Sequence, residues 1–492
     1  MKNNEDQDAE EDRPIISSNE GSKNPYNGYN KKRIITSKCV NLIKAILFIS
    51  SIIFLIYLKI FLITYKLDKK IEKMDKKINH LNEISEKKKI GVAFIQPALY
   101  ANGIGRIITV LTELLAKTGL YDVYLINEKI TPNDFKVYEE VKRVIQIKNK
   151  FEIRKFDKKN NIQFYVLNND LSEYIEIYKS LGKKIIGIFH GVFLSCIFTN
   201  HTSIYSSWNR FSLYDSFVQI IADDYWVHKK FNFQNVVYIP NLYTFEHTLT
   251  PTSNLTGNNV LIVGRIDDVI KGAQFGVKAM KEVIQEIPDS QLTIVSEYHD
   301  PKIKKLVKEL NIQNNVKFMP HSHNISEYYL KASVLIVASV SESFPMVMNE
   351  GKAHGLPIVA HNIDYSPSFQ EGVITVDMFD YKAMGKEIIK LLKDYNYRKK
   401  KGMEAKLSLD MYKNSETIET WGRLFRSLLR GKNEYHKFQQ KIEQKYYNEK
   451  VAMERIKRHY YYAQQFNKHF KCHSFENFTD LNYLNKIKVC QI

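Results

Sequence analysis

Residues 333–360 read SVLIVASVSESFPMVMNEGKAHGLPIVA. SVLIVAS is a short apolar run rich in β-branched residues and reads as a buried strand. PIVA opens a second. Between them, Met346 to His354 reads as a short helix, preceded by a loop that holds Glu342. Strand, helix, strand in that order is the unit of a parallel sheet. Glu350 falls about two turns after Glu342. The two carboxylates can face one ligand from different heights and accept hydrogen bonds from sugar and ribose hydroxyls. Two solvent-facing acids are the plainer reading of the pair taken alone.

Outward from this unit the alternation continues. Upstream in the same half, NVLIVGR (259–265), QLTIVSE (291–297) and NVKFMP (315–320) are strand-like, and KGAQFGVKAMKEVIQEI (271–287) is helical. The polar segment TLTPTSNLTGN (248–258) separates this half from an earlier one. There KIGVAFIQ (89–96), YDVYLIN (121–127), KRVIQI (142–147), IQFYVLN (162–168) and KKIIGIFHG (183–191) alternate with helical stretches. The chain therefore reads as α/β, with two Rossmann-like domains at 89–240 and 241–395. Open α/β sheets bind ligands at the carboxyl ends of their strands, so the cleft between the domains is the expected site.

Three further motifs point into that cleft. Asn102-Gly103-Ile104-Gly105-Arg106 follows the first strand at a helix start. Glycines there let backbone approach a phosphate, and a helix N-terminus favours negative charge. Gly264-Arg265 ends a strand, and Lys271-Gly272 opens the next helix. An arginine fork and a lysine point charge beside a strand end suit a diphosphate. His190-Gly191 closes the strand IIGIFH; it is either a satisfied structural residue or one that reaches the cleft.

Together these features resemble the retaining glycosyltransferase family 4, of GT-B fold. That family's E-x7-E, followed by a run like A-x-G-x-P-V-V-A, is matched by ESFPMVMNE (342–350) and then by Ala353, Gly355, Pro357 and Ala360. VGRIDDVIKG (263–272) resembles its V-G-R…K-G, and NGIGR its G-G-x-x-R. The likeness covers residues 90 to about 395, strong in the second domain and thin in the first. It implies that Arg265 and Lys271 hold the diphosphate of a nucleotide-sugar donor and that Glu350 binds its ribose. Glu342 would then lie beside the donor sugar, Gly103 in the phosphate loop and His190 near the anomeric centre. Glu342 and His190 are thus the expected catalytic residues, and Gly103, Arg265, Lys271 and Glu350 the expected donor-binding ones. Ser343 and Asn102 stand where the family carries glycine. YSPSFQEG (365–372) lacks the family's G-G-x-x-E form, so no donor contact is carried over there. The cation pair would take the place of a divalent metal, since the one Asp-x-Asp, Asp6-Gln-Asp8, lies far outside the repeats. No metal and no cofactor are expected.

The flanks carry the charge. The chain has 492 residues and a formal net charge of +18. Residues 396–492 carry 21 basic against 10 acidic groups, and 66–89 carry nine lysines against five acids, which leaves 90–395 near neutral. A nucleic-acid binder concentrates its positive charge on the folded body, so no nucleic acid is expected as a partner. Residues 1–38 open with EDQDAEED and lack periodicity, as a disordered tail does. Residues 40–65, VNLIKAILFISSIIFLIYLKIFLITY, read as a transmembrane helix once Lys44 and Lys59 snorkel. Lysines flank both sides, so orientation is not legible. At 66–88, Leu67, Ile71, Met74, Ile78 and Leu81 step by four and three. This fits a short coiled coil, hence a homodimer through 67–81, and equally a solvated helical stalk. Residues 396–430 hold the expected crossing helix, ETIETWGRLFRSLLR (416–430). Residues 431–492 form a basic, aromatic-rich extension that reads best as an appended helical module. Four cysteines are too few for a disulfide scaffold, although Cys472 and Cys490 could pair in an oxidising compartment.

The expected protein is a single-pass membrane enzyme of the secretory pathway or another internal membrane. It would transfer a sugar from a nucleotide sugar to a glycan, lipid or protein-linked acceptor. A nucleotide-sugar epimerase of the same fold and a non-catalytic nucleotide-sugar-binding scaffold are the rival readings.

Overall fold

The computed structural model describes residues 28–470 except 86–88, 100–101, 132–133, 146–149, 169–174, 193–208, 267–268, 364–366, 411–412 and 447. The chain divides into two units, 1–86 and 87–492.

The described part of the first unit is one helix, Gly28–Ser85. It starts at Gly28, so residues 28–38, read above as the end of a disordered tail, are helical backbone. Nothing in GYNKKRIITSK breaks the helix that the apolar stretch propagates. Val40–Met74 is long and apolar enough to cross a membrane and is fully exposed. Its hydroxyls are satisfied locally: Ser51 and Thr64 donate to the carbonyls of Leu47 and Phe61, at 2.8 and 2.9 Å. Such internal bonding is what an apolar solvent demands. Leu67, Ile71 and Met74 of the heptad seam are exposed. The side chains of Ile78 and Leu81 lie outside the described residues, as do Cys472 and Cys490.

The second unit holds two parallel sheets. The first comprises β1 (Ile90–Ile95), β2 (Tyr121–Asn127), β3 (Lys142–Ile145), β4 (Ile162–Asn168), β5 (Lys184–Phe189), β6 (Ser216–Gln219) and β7 (Val236–Tyr238), in the order β3-β2-β1-β4-β5-β6-β7. The second comprises β8 (Asn259–Val263), β9 (Gln291–Ser296), β10 (Val316–Pro320), β11 (Val334–Val337), β12 (Ile358–His361) and β13 (Val373–Val376), in the order β10-β9-β8-β11-β12-β13. β6, β7 and β13 are additions to the strands read from sequence. Each sheet reverses its winding beside its own first strand, between β1 and β4 and between β8 and β11. These switch points open crevices at the carboxyl ends. Strands buried on both faces explain the apolar runs; β1, β4 and β11 are almost wholly buried.

The crossing helix is Asn414–Arg430. It leaves the second domain and buries Trp421, Leu424, Phe425 and Leu428 in the core of the first. Phe425 meets Tyr121 and Phe164 with ring centroids 5.4 and 4.8 Å apart. The extension continues as two helices, Lys432–Tyr446 and Glu449–Phe470. The latter packs on Ala222–Lys230, where Arg455 bonds Asp224 at 3.1 Å, the two side chains being 1 % and 0 % exposed. Arg458 reaches Asp223 at 3.1 Å. At the far end of that helix His469 stacks on Phe379 of the second domain, 3.9 Å between centroids. The described extension is thus a helical packing module that touches both domains.

Candidate active site

The six residues singled out above line one cavity of about 400 Å³ between the two domains. Five of them lie in the loops or helix starts that follow a strand's carboxyl end at or near a switch point, and Glu350 lies within the helix after β11.

β1 leads to Asn102, which caps the helix Gly103–Lys117 by accepting from the Gly105 amide at 3.0 Å. Gly103 is therefore the first helical residue. A Cβ there would stand 3.3 Å from Cγ of Met346, on the opposite domain. Glycine thus lets the helix end approach the facing wall, and its orphan amides present partial positive charge.

β8 leads to Gly264, whose φ of 138° only glycine adopts readily. The turn puts Arg265, which is exposed, on the cavity wall. The single turn Val269–Lys271 follows, then Gly272 at φ 63°, where a Cβ would fall 2.0 Å from the Ala338 carbonyl oxygen. This contact ties the Lys271 turn to the end of β11. Lys271 Nζ donates to Glu342 Oε1 at 2.6 Å, and Ser339 Oγ donates to the same oxygen at 2.7 Å. The lysine expected at a diphosphate and the glutamate expected at a sugar are thus ion-paired.

Glu350 lies on the helix Met346–Ala353 and is 5 % exposed. Tyr329 OH donates to its Oε2 at 2.8 Å, Thr244 Oγ1 to its Oε1 at 3.1 Å, and Arg106 Nε stands 3.3 Å from Oε1. Burial and the adjacent negative charge hold the Tyr329 hydroxyl well above its ordinary range, so it remains a donor. Arg106 comes from the first domain, so its pair with Glu350 spans the cleft. Two hydrogen bonds and one ion pair across the cleft thus engage this carboxylate.

His190 is buried after β5, its Nε2 3.3 Å from Oδ1 of Asn168 at the end of β4. Burial lowers its pKa to about 4. The imidazole is neutral at physiological pH and can offer a hydrogen bond to a ligand, not a charge.

Arg106, Tyr329, Thr244 and Ser339 are absent from the sequence-derived set. Arg106 has a signal, as the last residue of NGIGR, one turn inside a helix that opens on the cleft. The other three carry none without the fold.

Residues 257–394 match the family described as Glycosyl transferases group 1. The chain is 27 % identical over 190 residues to the poly(glycerol-phosphate) alpha-glucosyltransferase of Bacillus subtilis, which is 38 % of this chain and 28 % of that protein. It is 33 % identical over 138 residues to an uncharacterized glycosyltransferase of Haemophilus influenzae, 27 % of this chain and 38 % of that one. The matches thus span about a third of these relatives' length. Among solved structures, sucrose-phosphate synthase of Thermosynechococcus elongatus superposes with a TM-score of 0.57 at 18 % identity, covering 70 % of this chain and 100 % of that one. Anabaena HepE, in complex with UDP and glucose, gives 0.55 at 11 % identity over 69 % and 100 %. At these identities the likeness shows the fold. Residues 257–394 are thus similar to the group 1 glycosyl transferases, and the chain carries that domain within a GT-B fold.

Proposed function

We propose that the cavity binds a nucleotide sugar and that the protein transfers the sugar, with retention of anomeric configuration, to an acceptor hydroxyl. One observation carries this reading: Arg265, Lys271 and the N-terminus of the helix Gly103–Lys117 converge on one cavity from two sheets. Two cations and an array of orphan amides complement a diphosphate. As the bond from the anomeric carbon to the diphosphate breaks, its electron pair passes to the leaving oxygen. Charge therefore grows where Arg265 and Lys271 stand, and preorganised cations are worth most there. They fill the role a divalent metal would take, so none is required. The acceptor oxygen bonds to the same face of the anomeric carbon that the leaving group vacates, and its proton passes to the departing diphosphate oxygen. Glu342 lies beside the sugar and strengthens its contacts as positive charge develops on the ring. His190, neutral, hydrogen-bonds a sugar hydroxyl. Glu350 and its partners hold the ribose. HepE is in complex with UDP and glucose, and its shared fold supports a nucleotide in this cleft.

The matched relatives are named as sugar transferases to differing acceptors, which supports transfer without choosing the acceptor among glycan, lipid and protein-linked glycan. The helix at 40–65 anchors the protein in a membrane of the secretory pathway or another internal compartment. The exposure of Leu67, Ile71 and Met74 leaves a seam through which two copies can pair.

The test is incubation of detergent-solubilised full-length protein with a panel of nucleotide sugars and mixed glycan and lipid acceptors. Donor consumption and the anomeric configuration of the product are read by NMR. Consumption that needs an acceptor and yields a retained linkage is the expected result. Inversion, or release of free epimerised sugar without acceptor, overturns it.

A further inference from the structure

Strands β2 and β4 end alike, in YLIN (124–127) and YVLN (165–168), and the roles above use neither asparagine. Asn127 and Asn168 are fully buried, each the last residue of its strand. Each donates from Nδ2 to a main-chain carbonyl at the end of β1. Asn127 bonds Gln96 O at 2.7 Å, and Asn168 bonds Ile95 O at 3.1 Å. A carbonyl oxygen only accepts, so both amides are fixed with Oδ1 turned the other way. The Asn127 oxygen accepts from Arg143 Nε at 2.9 Å. The Asn168 oxygen meets His190 Nε2 at 3.3 Å.

The two asparagines differ in what that oxygen decides. An arginine nitrogen is a donor in any case, whereas an imidazole nitrogen can be either donor or acceptor. Burial keeps His190 neutral, so its ring carries one proton. Facing an oxygen that only accepts, Nε2 holds that proton. The other tautomer would set two buried lone pairs against each other, at the cost of an unmade hydrogen bond. Nδ1 is therefore bare. It has no hydrogen-bond partner among the described residues, and the ring lines the cavity. A tie between strands would explain the bond to Ile95 alone, and β1 and β4 are already paired through their main chains from Gly91 to Ile95.

We infer that Asn168 is a positioning residue: it fixes the Nε2–H tautomer of His190, so that Nδ1 accepts a hydrogen bond from a hydroxyl of the donor sugar. This rests on the sugar-transfer reading above. It gives the contact a direction. A hydroxyl at that place on the sugar can donate to Nδ1, whereas a hydrogen or fluorine there cannot.

The test begins on wild-type full-length protein in detergent with isotope-labelled histidine. Long-range proton–nitrogen correlation spectra read which ring nitrogen is protonated, and His190→Gln assigns the signals. Nε2 should carry the proton. In Asn168→Ala the acceptor is gone, so the two tautomers should mix. Turnover of the nucleotide sugar that wild type consumes fastest should then fall roughly two- to tenfold, the range of one net hydrogen bond. Affinity for the matching nucleoside diphosphate, which has no sugar, should change less than about twofold, and this arm also controls for misfolding. Asn168→Asp keeps an oxygen facing Nε2, so it should recover the tautomer and much of the turnover. A wild-type proton on Nδ1 overturns the inference and leaves the transfer reading standing. So does an Asn168→Ala that keeps a single tautomer, or one that loses nucleoside diphosphate affinity as much as turnover. Wild-type protein that consumes no nucleotide sugar overturns the transfer reading and, with it, the role given to Nδ1.

Discussion

Replacing Lys271 by alanine probes the electrostatics of the donor end. Its Nζ is 2.6 Å from Glu342 Oε1, and the Glu342 side chain is only 10 % exposed. The substitution has two effects. It deletes a charge-assisted contact to the diphosphate, ~1.5–3 kcal/mol. It also strips Glu342 of its cation just where an anion arrives, a repulsion of about 1 kcal/mol between partly screened charges. Together these weaken nucleoside diphosphate binding by roughly 70- to 900-fold. Glu342→Gln keeps the shape and removes the charge. Alone it should leave nucleoside diphosphate affinity unchanged or slightly tighter, because Lys271 is freed for the ligand, while kcat falls. In the double variant the repulsion is gone. It should bind about fivefold tighter than Lys271→Ala, the coupling a double-mutant cycle isolates. Calorimetry on the four proteins decides the matter. A double variant no tighter than Lys271→Ala, or a Glu342→Gln that binds as poorly as Lys271→Ala, refutes the reasoning.

Three further outcomes are expected. Turnover should persist in excess EDTA, because Arg265 and Lys271 supply the positive charge; loss on chelation with recovery on manganese would contradict this. Arg455→Ala should lower stability by about 3–5 kcal/mol, because it leaves Asp224 buried without its cation; Asp224→Asn combined with Arg455→Met should recover much of that in thermal unfolding. Stability should fall between pH 6.5 and 4. Burial lowers His190 to about 4, His228 to about 3 and His361 to about 4, so the unfolded chain takes up protons that the folded chain refuses. Their stabilising contribution is complete above the ordinary histidine pKa and is lost as pH drops toward the folded values. A His228→Asn variant should show a shallower slope of melting temperature against pH.

The six expected site residues are legible because each follows an apolar run. In a parallel sheet the residue just after a strand is the one delivered to the crevice, so the strands alone place Arg265, Glu342 and His190. What escapes depends on distance in the chain. Nothing in NGIGR says that Arg106 will meet Glu350, since that contact requires the two domains to close. β6, β7 and β13 are four, three and four residues long, and β13 buries only one of its four, so none makes a recognisable run. Asp223 and Asp224 look like acids in an exposed first helical turn, yet both are fully buried. Their partners, Arg458 and Arg455, lie 235 and 231 residues away in a segment whose helicity is readable but whose docking surface is not.

The crowding of Glu350 bears on how a nucleotide would enter. Its carboxylate offers about four acceptor positions; Tyr329 and Thr244 occupy two, and Arg106 stands beside it as an ion pair. On the proposed reading two ribose hydroxyls take the remaining positions, and they crowd one of the three protein partners. Tyr329 is fully buried and bonded at 2.8 Å, and Thr244 belongs to the same domain as Glu350. Arg106 has the longest contact, 3.3 Å, and its side chain is 21 % exposed, so it is the donor that water can most readily re-solvate. Displacing it breaks a protein bond across the cleft. The rings that Arg106 already contacts, Phe135 and Phe245, would still hold its guanidinium once it leaves Glu350. The same two domains are joined through the crossing helix and through His469 on Phe379, contacts away from the cleft that loss of the Arg106 pair would leave in place.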